Sequence, residues 1–218
     1  MPKNIQLISI FCLLLALLPV FLLAADHDHV ADIIQDQYAK INSFQAEFNQ
    51  ELTNASSGVT EQRKGTIWYQ QPQKIRWQTT HPEEELLIST GDVVWDYFPE
   101  EKTAYRYTLK GRFDSKTMLK FISGEVNLKE DFQIQVQGKD AQCSDWTKIS
   151  LTPMNPEPSL VMAHIWLDKE TNLIRRVLLV DFFGNKNKLT FEDIELNVVI
   201  DDSRFSFDPP DGVEIMKG

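Results

Sequence analysis

Apolar residues follow three successive patterns along this chain. Residues 5–25 form an almost unbroken apolar run. Apolar positions then recur at helical spacing, at Val30, Ile33, Ile34, Tyr38 and Ile41. This spacing predicts an amphipathic helix that is capped by Asp26 or Asp28 and ends at Asn42-Ser43.

Beyond residue 43 the apolar period changes to two, which is typical of strands with one solvent-exposed face. In the first of these segments Phe44, Ala46, Phe48 and Leu52 alternate with polar residues. Segments of this kind, separated by turn-forming residues, follow at 64–70, 74–79, 85–90, 93–98, 103–108, 132–137, 148–152, 160–168, 173–181, 188–196 and 204–207.

The strand pattern is interrupted at residues 114–122. Met118, Leu119 and Ile122 form a short apolar stripe there, after a candidate cap at Asp114 or Ser115, and predict a second helix. The short connections elsewhere imply an antiparallel meander. We expect one large twisted sheet, closed or nearly so, with two helices packed on it.

Residues 1–25 have the features of a secretory signal peptide. Lys3 supplies the basic start, Pro19 interrupts the apolar run, and Ala24-Ala25 stand where a peptidase would cut. We expect cleavage to leave one domain, residues 26–218, in the periplasm.

Charge and cysteine content narrow the range of functions. The net charge of the chain is −10 and becomes about −11 without Lys3, so its surface repels nucleic acid, and we expect no nucleic-acid partner. Cys143 is the one cysteine in residues 26–218, which leaves no internal disulfide.

The sequence lacks the common catalytic and metal-binding motifs, such as Gly-x-Ser-x-Gly, His-Glu-x-x-His and glycine-rich phosphate loops. His81 and His164 have no ligands at metal spacing. His27 and His29, within Asp-His-Asp-His, offer only a loose site near the new terminus. We predict a protein that is not an enzyme and that needs no metal or cofactor.

The predicted strands are rich in aromatic residues, including Trp68, Trp77, Trp95 and Trp166. Such residues are ordinary in strands, but a large sheet covered by two short helices has more apolar surface than those helices can hide. Either the sheet closes on itself, or a cavity remains for an apolar guest. Periodicity leaves both alternatives open.

Five segments, in order and spacing, resemble the LolA family of periplasmic outer-membrane lipoprotein carriers. They are Ser43-Phe44-Gln45-Ala46-Glu47-Phe48-Asn49-Gln50, Gly65-Thr66-Ile67-Trp68 leading to Pro72, Lys74-Ile75-Arg76-Trp77, Leu87-Ile88-Ser89-Thr90-Gly91 running into Val94-Trp95-Asp96-Tyr97, and Phe205-Ser206-Phe207-Asp208-Pro209-Pro210-Asp211-Gly212-Val213. The resemblance covers residues 30–213.

The resemblance implies a mainly β protein: a single antiparallel sheet curled into an unclosed β-barrel of about eleven strands with a helical lid. It implies a monomer that takes acylated lipoproteins from an inner-membrane ABC transporter complex and shields their acyl chains. It also implies delivery to an outer-membrane acceptor, without cofactor or bond-making chemistry.

Candidate lipid-binding residues follow from the same resemblance. The strand candidates are Phe44, Phe48, Ile75, Trp77 and Leu87, and the lid candidates are Met118, Leu119 and Ile122. Many relatives carry a basic residue before the proline that matches Pro72, where it helps to latch the lid. This chain has Gln71 there, so the charge of that latch is missing.

Three alternatives remain. A periplasmic domain of the same architecture could sense lipoproteins or bind a membrane regulator. Such regulators usually carry a further domain, and we expect no room for one in this chain. A lipid hydrolase is disfavoured by the missing nucleophile motif. A membrane-attached acceptor would result if residues 1–25 stayed uncleaved, since about 20 apolar residues span a bilayer, or if Cys12 were acylated, which bulky Phe11 disfavours.

Overall fold

The protein folds around a single β-sheet. In a computed structural model, which describes residues 21–91, 93–108, 118, 120–122, 124 and 126–217, twelve strands pair in the order β12-β6-β5-β4-β3-β2-β1-β11-β10-β9-β8-β7. The strands are β1 (Ser43–Thr53), β2 (Thr60–Gln70), β3 (Lys74–His81), β4 (Glu85–Thr90), β5 (Val93–Phe98), β6 (Thr103–Thr108), β7 (Phe132–Lys139), β8 (Trp146–Pro153), β9 (Met162–Asp168), β10 (Ile174–Val180), β11 (Lys186–Leu196) and β12 (Glu214–Lys217).

The sheet is unclosed, with β7 and β12 at its edges in the part of the chain that the structure describes. This confirms the predicted mainly β fold with one unclosed sheet. Two details differ from the expectation of about eleven antiparallel strands. The chain has a twelfth strand, β12, and that strand runs parallel to its neighbour β6.

The helices are few. α1 spans Phe21–Tyr38, α2 spans Leu128–Asp131, and a 3-10 helix spans Asp202–Phe205. Because α1 already begins at Phe21, Asp26 and Asp28 lie inside it, and the prediction that either caps its start is wrong. Residues 118 and 120–122 of the second predicted helix are helical, whereas residues 114–117 and Leu119 lie outside the described residues. Within the described chain, no helix has both the length and the apolar character that a membrane crossing requires.

The sheet curls around one core. Alternate residues of a strand face opposite sides, and the inward set from β1 to β11 belongs to one apolar cluster. Val94 and Tyr107, from one half of the sheet, share this cluster with Phe132 and Ile149 from the other half. We call this side the inner face and the opposite side the outer face.

The segment of residues 197–213 crosses the outer face of β3 and β4 before it reaches β12, and we call it the strap. Phe205 is only 2% exposed, and Lys74 Nζ lies 2.8 Å from Asp202 Oδ1. The ring of Phe207 lies 5.5 Å from that of Trp95. The predicted strand 204–207 is therefore wrong, because its aromatic residues pack on the sheet from outside instead of pairing within it.

Gly65 allows β2 and β3 to approach closely. A Cβ atom at this position would lie 1.9 Å from the backbone oxygen of Gln78 and 2.9 Å from the ring of Phe48. Real atoms do not approach so closely, so this position requires glycine for steric reasons.

Candidate functional site

The strand residues predicted from the resemblance all lie on the inner face. Phe44, Phe48, Ile75 and Leu87 are buried in the core cluster, and Trp77 packs against it. Trp77 is opposite Leu87 in the β3–β4 register. The rings of Phe48 and Trp77 meet edge to face, with centroids 5.1 Å apart. These side chains form one apolar surface across β1, β3 and β4.

Helical residues cover this surface. Met118 and Ile122 are each 2% exposed and belong to the same cluster, as do Ala31 and Ile34 of α1; Leu119 lies outside the described residues. We call α1 and helical residues 118 and 120–122 the helical cover. One cavity beneath it, between Tyr38, Ile122 and β11, measures about 20 Å³, which holds roughly one water molecule. A larger guest at this position would have to displace the side chains that line the cavity.

Tyr38 links the end of α1 to the rest of the helical cover. Gly124 lies against its ring so closely that a Cβ atom there would be 2.6 Å from Tyr38 Cδ1. Although the side chain is partly exposed, its hydroxyl group points into the interior. Burial raises the pKa of this hydroxyl well above its ordinary value, and a hydrogen bond with the Ile174 backbone opposes the rise.

The inner face becomes polar towards one end of the sheet. On β1, Phe44, Ala46 and Phe48 are followed on the same face by Gln50, which is 7% exposed. Gln50 Nε2 donates a hydrogen bond to Asn187 Oδ1 of β11 at 3.0 Å. Neither residue was predicted as part of the site, although the period of two that runs through Phe44 and Phe48 places Gln50 on the inner face.

Arg63 continues this polar boundary onto β2, where it is opposite Gln50. Its Nε lies 2.5 Å from Glu61 Oε1 and its Nη1 lies 2.7 Å from Glu85 Oε2. Burial alone would lower the pKa of Arg63, but these two carboxylates raise it, so the guanidinium remains charged. Polar side chains thus follow apolar ones on β1 and β2 at the same level of the sheet, and on β11 the change comes one inward position later, between Leu189 and Asn187.

An open cavity of about 590 Å³ lies beyond this boundary. Its walls come from the β1–β2 and β10–β11 connections and from Ser159, and its lining includes Leu52, Leu179 and Asn187. Two hydrogen bonds hold the walls together: Ala55 N donates to Asn185 Oδ1, and Phe182 N donates to Pro158 O, both at 2.9 Å. The inner face therefore opens at this end.

The loops at this end carry exposed apolar side chains. Val59 is 65% exposed, and Phe182 and Phe183 are each 72% exposed. The β3–β4 and β5–β6 connections at the same end of the sheet contain the carboxylate pairs Glu83-Glu84 and Glu100-Glu101. The open end therefore combines apolar tips with negative charge.

A serine–histidine pair lies on the outer face. Ser150 Oγ and His164 Nδ1 are 2.8 Å apart, and burial together with Lys148 lowers the pKa of His164. In serine hydrolases the other ring nitrogen contacts the serine, and Nδ1 faces a carboxylate. The pair is thus arranged differently from a hydrolase site. In the described part of the chain, no three His, Cys, Asp or Glu side chains are grouped as metal ligands.

Comparison with known proteins agrees with the fold. A family model described as "Outer membrane lipoprotein carrier protein LolA" matches residues 39–208. An outer-membrane lipoprotein carrier protein of Pseudoalteromonas translucida (strain TAC 125) is 30% identical over 185 residues, which are 84% of each chain. The protein of the same name from Serratia proteamaculans (strain 568) is 28% identical over 85% of this chain and 86% of its own.

Among solved structures, an uncharacterized conserved protein from Thermus thermophilus superposes with a TM-score of 0.56 at 10% identity. The match covers 88% of this chain and 98% of that one. At this identity the likeness concerns the fold alone.

Proposed function

The chain belongs to the family of outer-membrane lipoprotein carrier proteins, and we propose on this basis that it carries lipoproteins through the periplasm with their acyl chains held on the inner face. The observation that supports this function is the continuous apolar surface of Phe44, Phe48, Ile75, Trp77 and Leu87 beneath the helical cover.

The energetic need for such a carrier is large. Exposing an acyl chain to water costs about 0.8 kcal/mol per methylene, so one long chain costs on the order of 10 kcal/mol. A triacylated lipoprotein would not leave a membrane at a useful rate without a shield. An apolar surface inside a curled sheet replaces the lost contacts with membrane lipid.

Loading and release both depend on the helical cover. In its present position Met118 and Ile122 occupy the surface that acyl chains would use, so guest and cover compete for the same contacts. This competition lowers the net affinity for cargo, and a carrier needs a limited affinity because it must pass the cargo on. We propose that the cover moves outwards when acyl chains enter.

The partners in this proposal are an inner-membrane ABC transporter complex that loads the carrier and an outer-membrane acceptor that unloads it. A monomer suffices for this cycle, since each chain has its own inner face. No nucleic acid, metal or cofactor takes part.

The experiment that tests the function is native mass spectrometry of the protein purified from periplasm, before and after the transporter is disabled. We expect triacylated lipoprotein to co-purify and to disappear when the transporter is lost. A protein that never carries acylated cargo would contradict the carrier function and favour a sensing domain of the same architecture.

A pair of leucine variants tests whether the inner face holds the cargo. Leu87 lies on the inner face of β4, and Leu178 lies on the outer face of β10 opposite His164 and Lys188. We expect Leu87→Gln to lose cargo and Leu178→Gln to retain it, with circular dichroism confirming that both are folded. Leu87→Met, which keeps the apolar character, should bind as the native chain does.

A further inference from the structure

The boundary between apolar and polar side chains on the inner face crosses three adjacent strands, β2, β1 and β11. On β1 it falls between Phe48 and Gln50. On β11 it falls one inward position later, between Leu189, which is opposite Gln50, and Asn187, which is opposite Leu52. On β2 the last inner apolar side chain is Ile67, and Arg63 follows beyond Gly65. A guest that lies along the strands therefore passes from apolar contacts to a region with hydrogen-bonding groups, where Leu52 and Leu179 flank Asn187.

The amide pair at this boundary has unused hydrogen-bonding capacity. Gln50 Nε2 donates to Asn187 Oδ1 at 3.0 Å, which fixes the orientation of both amides. The Nδ2 group of Asn187 has no hydrogen-bond partner among the described residues, and Asn187 lines the open cavity of about 590 Å³. Its two N–H groups are thus available to a carbonyl oxygen in that cavity.

We infer that Asn187, oriented by Gln50, binds the carbonyl groups that join acyl chains to the glyceryl-cysteine head of a lipoprotein. This inference rests on the proposed function and adds a polar subsite to it. Ester and amide carbonyls are hydrogen-bond acceptors without charge, and in an acylated cysteine they stand where the chains end and the peptide begins. On the inner face, the amides of Gln50 and Asn187 likewise follow apolar side chains on β1 and β11.

The charges around the cavity favour an uncharged head over a phosphodiester. Glu61 and Asp181 line the cavity together with one lysine, Lys186. Asp181 accepts hydrogen bonds from Asn185 N and Nδ2 at 2.8 Å each, and Glu61 is paired with Arg63. Together with Arg63 and its second partner Glu85, three carboxylates stand against two cationic groups. This excess of negative charge disfavours the phosphate of a phospholipid, which carries the same ester carbonyls. The lipoprotein head is therefore the assigned ligand.

The test compares two synthetic ligands by isothermal titration calorimetry on the full chain. One is a cysteine lipopeptide with two ester-linked chains and one amide-linked chain; the other has ether and amine links of the same length, which lack the carbonyls. We expect Asn187→Leu to weaken binding of the ester ligand about 3- to 10-fold, the effect of one lost hydrogen bond. Binding of the ether ligand should stay unchanged.

A second variant covers the case in which Asn187→Leu does not fold. Gln50→Glu keeps the size of the side chain but removes the amide donor that orients Asn187, and it should reduce ester binding in the same way. Equal losses for the ester and ether ligands would overturn the inference, because they would show a structural effect alone.

Two further ligand outcomes separate this inference from the proposed function. If the native chain binds neither lipopeptide, the carrier function itself is contradicted. If the native chain and both variants bind the two lipopeptides equally well, only the polar subsite is contradicted. A titration with phosphatidylglycerol tests whether the subsite prefers the glyceryl-cysteine head of a lipoprotein. Binding of that phospholipid with the same dependence on Asn187 would overturn the assignment to lipoprotein.

Discussion

Gln71 Nε2 donates a hydrogen bond to the backbone oxygen of Ile41 at 2.9 Å. The backbone N–H of Gln71 also donates to Asn42 O at 2.8 Å. Gln71 therefore ties the β2–β3 turn to the segment that joins α1 to β1, although its side chain carries no charge. A neutral amide makes the same kind of contact to a carbonyl oxygen as a guanidinium would, with a weaker hydrogen bond.

Replacing Gln71 by Ala should lower the free energy of unfolding by about 0.5–1.5 kcal/mol, since one intramolecular hydrogen bond is lost. Urea denaturation measures the change. Gln135→Ala, at an exposed position of the β7 edge strand, serves as the matched control and should change stability by less than about 0.5 kcal/mol. Equal effects of the two substitutions would mean that the Gln71 side chain contributes nothing.

Substitution of Gly65 by Ala should destabilise the fold by more than about 3 kcal/mol, beyond the usual range for overpacking. The added Cβ would lie 1.9 Å from Gln78 O, so β2 and β3 would have to separate. Gly138→Ala is the control, because Gly138 has a φ of +86° but no neighbouring atom within 4 Å. The loss of stability in this variant should stay near the cost of placing alanine in a left-handed backbone conformation, about 1–2 kcal/mol. Thermal unfolding of both variants distinguishes the two causes.

Stability above pH 10 should depend on Tyr38. Its pKa in the folded chain is raised by burial, whereas an unfolded tyrosine ionises near pH 10. The unfolded chain therefore releases this proton first, so stabilisation that is complete below about pH 10 is lost as the pH rises, by up to roughly 1.4 kcal/mol per unit. We expect Tyr38→Phe to remove this part of the slope in urea unfolding between pH 8 and 11. A constant difference between variant and native chain over that range would contradict the prediction.

The strap should contribute substantially to stability. Phe205 is 2% exposed on the outer face, whereas Phe183 is 72% exposed. We expect Phe205→Ala to cost about 3–5 kcal/mol, as buried phenylalanine truncations do. Phe183→Ala should stay within about 0.5 kcal/mol. Chemical denaturation of the two variants provides the comparison, and a small effect at Phe205 would show that the strap packs only loosely in solution.

The strands with alternating burial were predictable from the sequence, because one face of each is apolar and the other is polar. β12 was missed, since all four of its residues are exposed and only backbone pairing to β6 defines it. The strap was mistaken for a strand because Phe205 and Phe207 alternate with polar residues. In the structure Asp201 caps a 3-10 turn by accepting from Ser203 N, a local hydrogen bond that competes with strand geometry.

The site was predictable to a similar extent. The apolar residues of the inner face follow from strand periodicity and from the family resemblance. The role of the Asn187 amide could not be predicted, because it depends on the pairing of β11 with β1. The hydrogen bond involved joins residues 137 positions apart in the chain. Tertiary pairing of this kind leaves no local signal in the sequence.

The distribution of indole rings between the two faces has a spectroscopic consequence. Trp77 packs against the inner core cluster, whereas Trp68 and Trp95 contact the strap side, and Trp146 and Trp166 stack with Arg176 on the outer face. Any molecule that occupies the interior of the sheet therefore changes the surroundings of a single tryptophan. The native chain contains its own optical reporter of occupancy, and no dye or label needs to be attached to follow it.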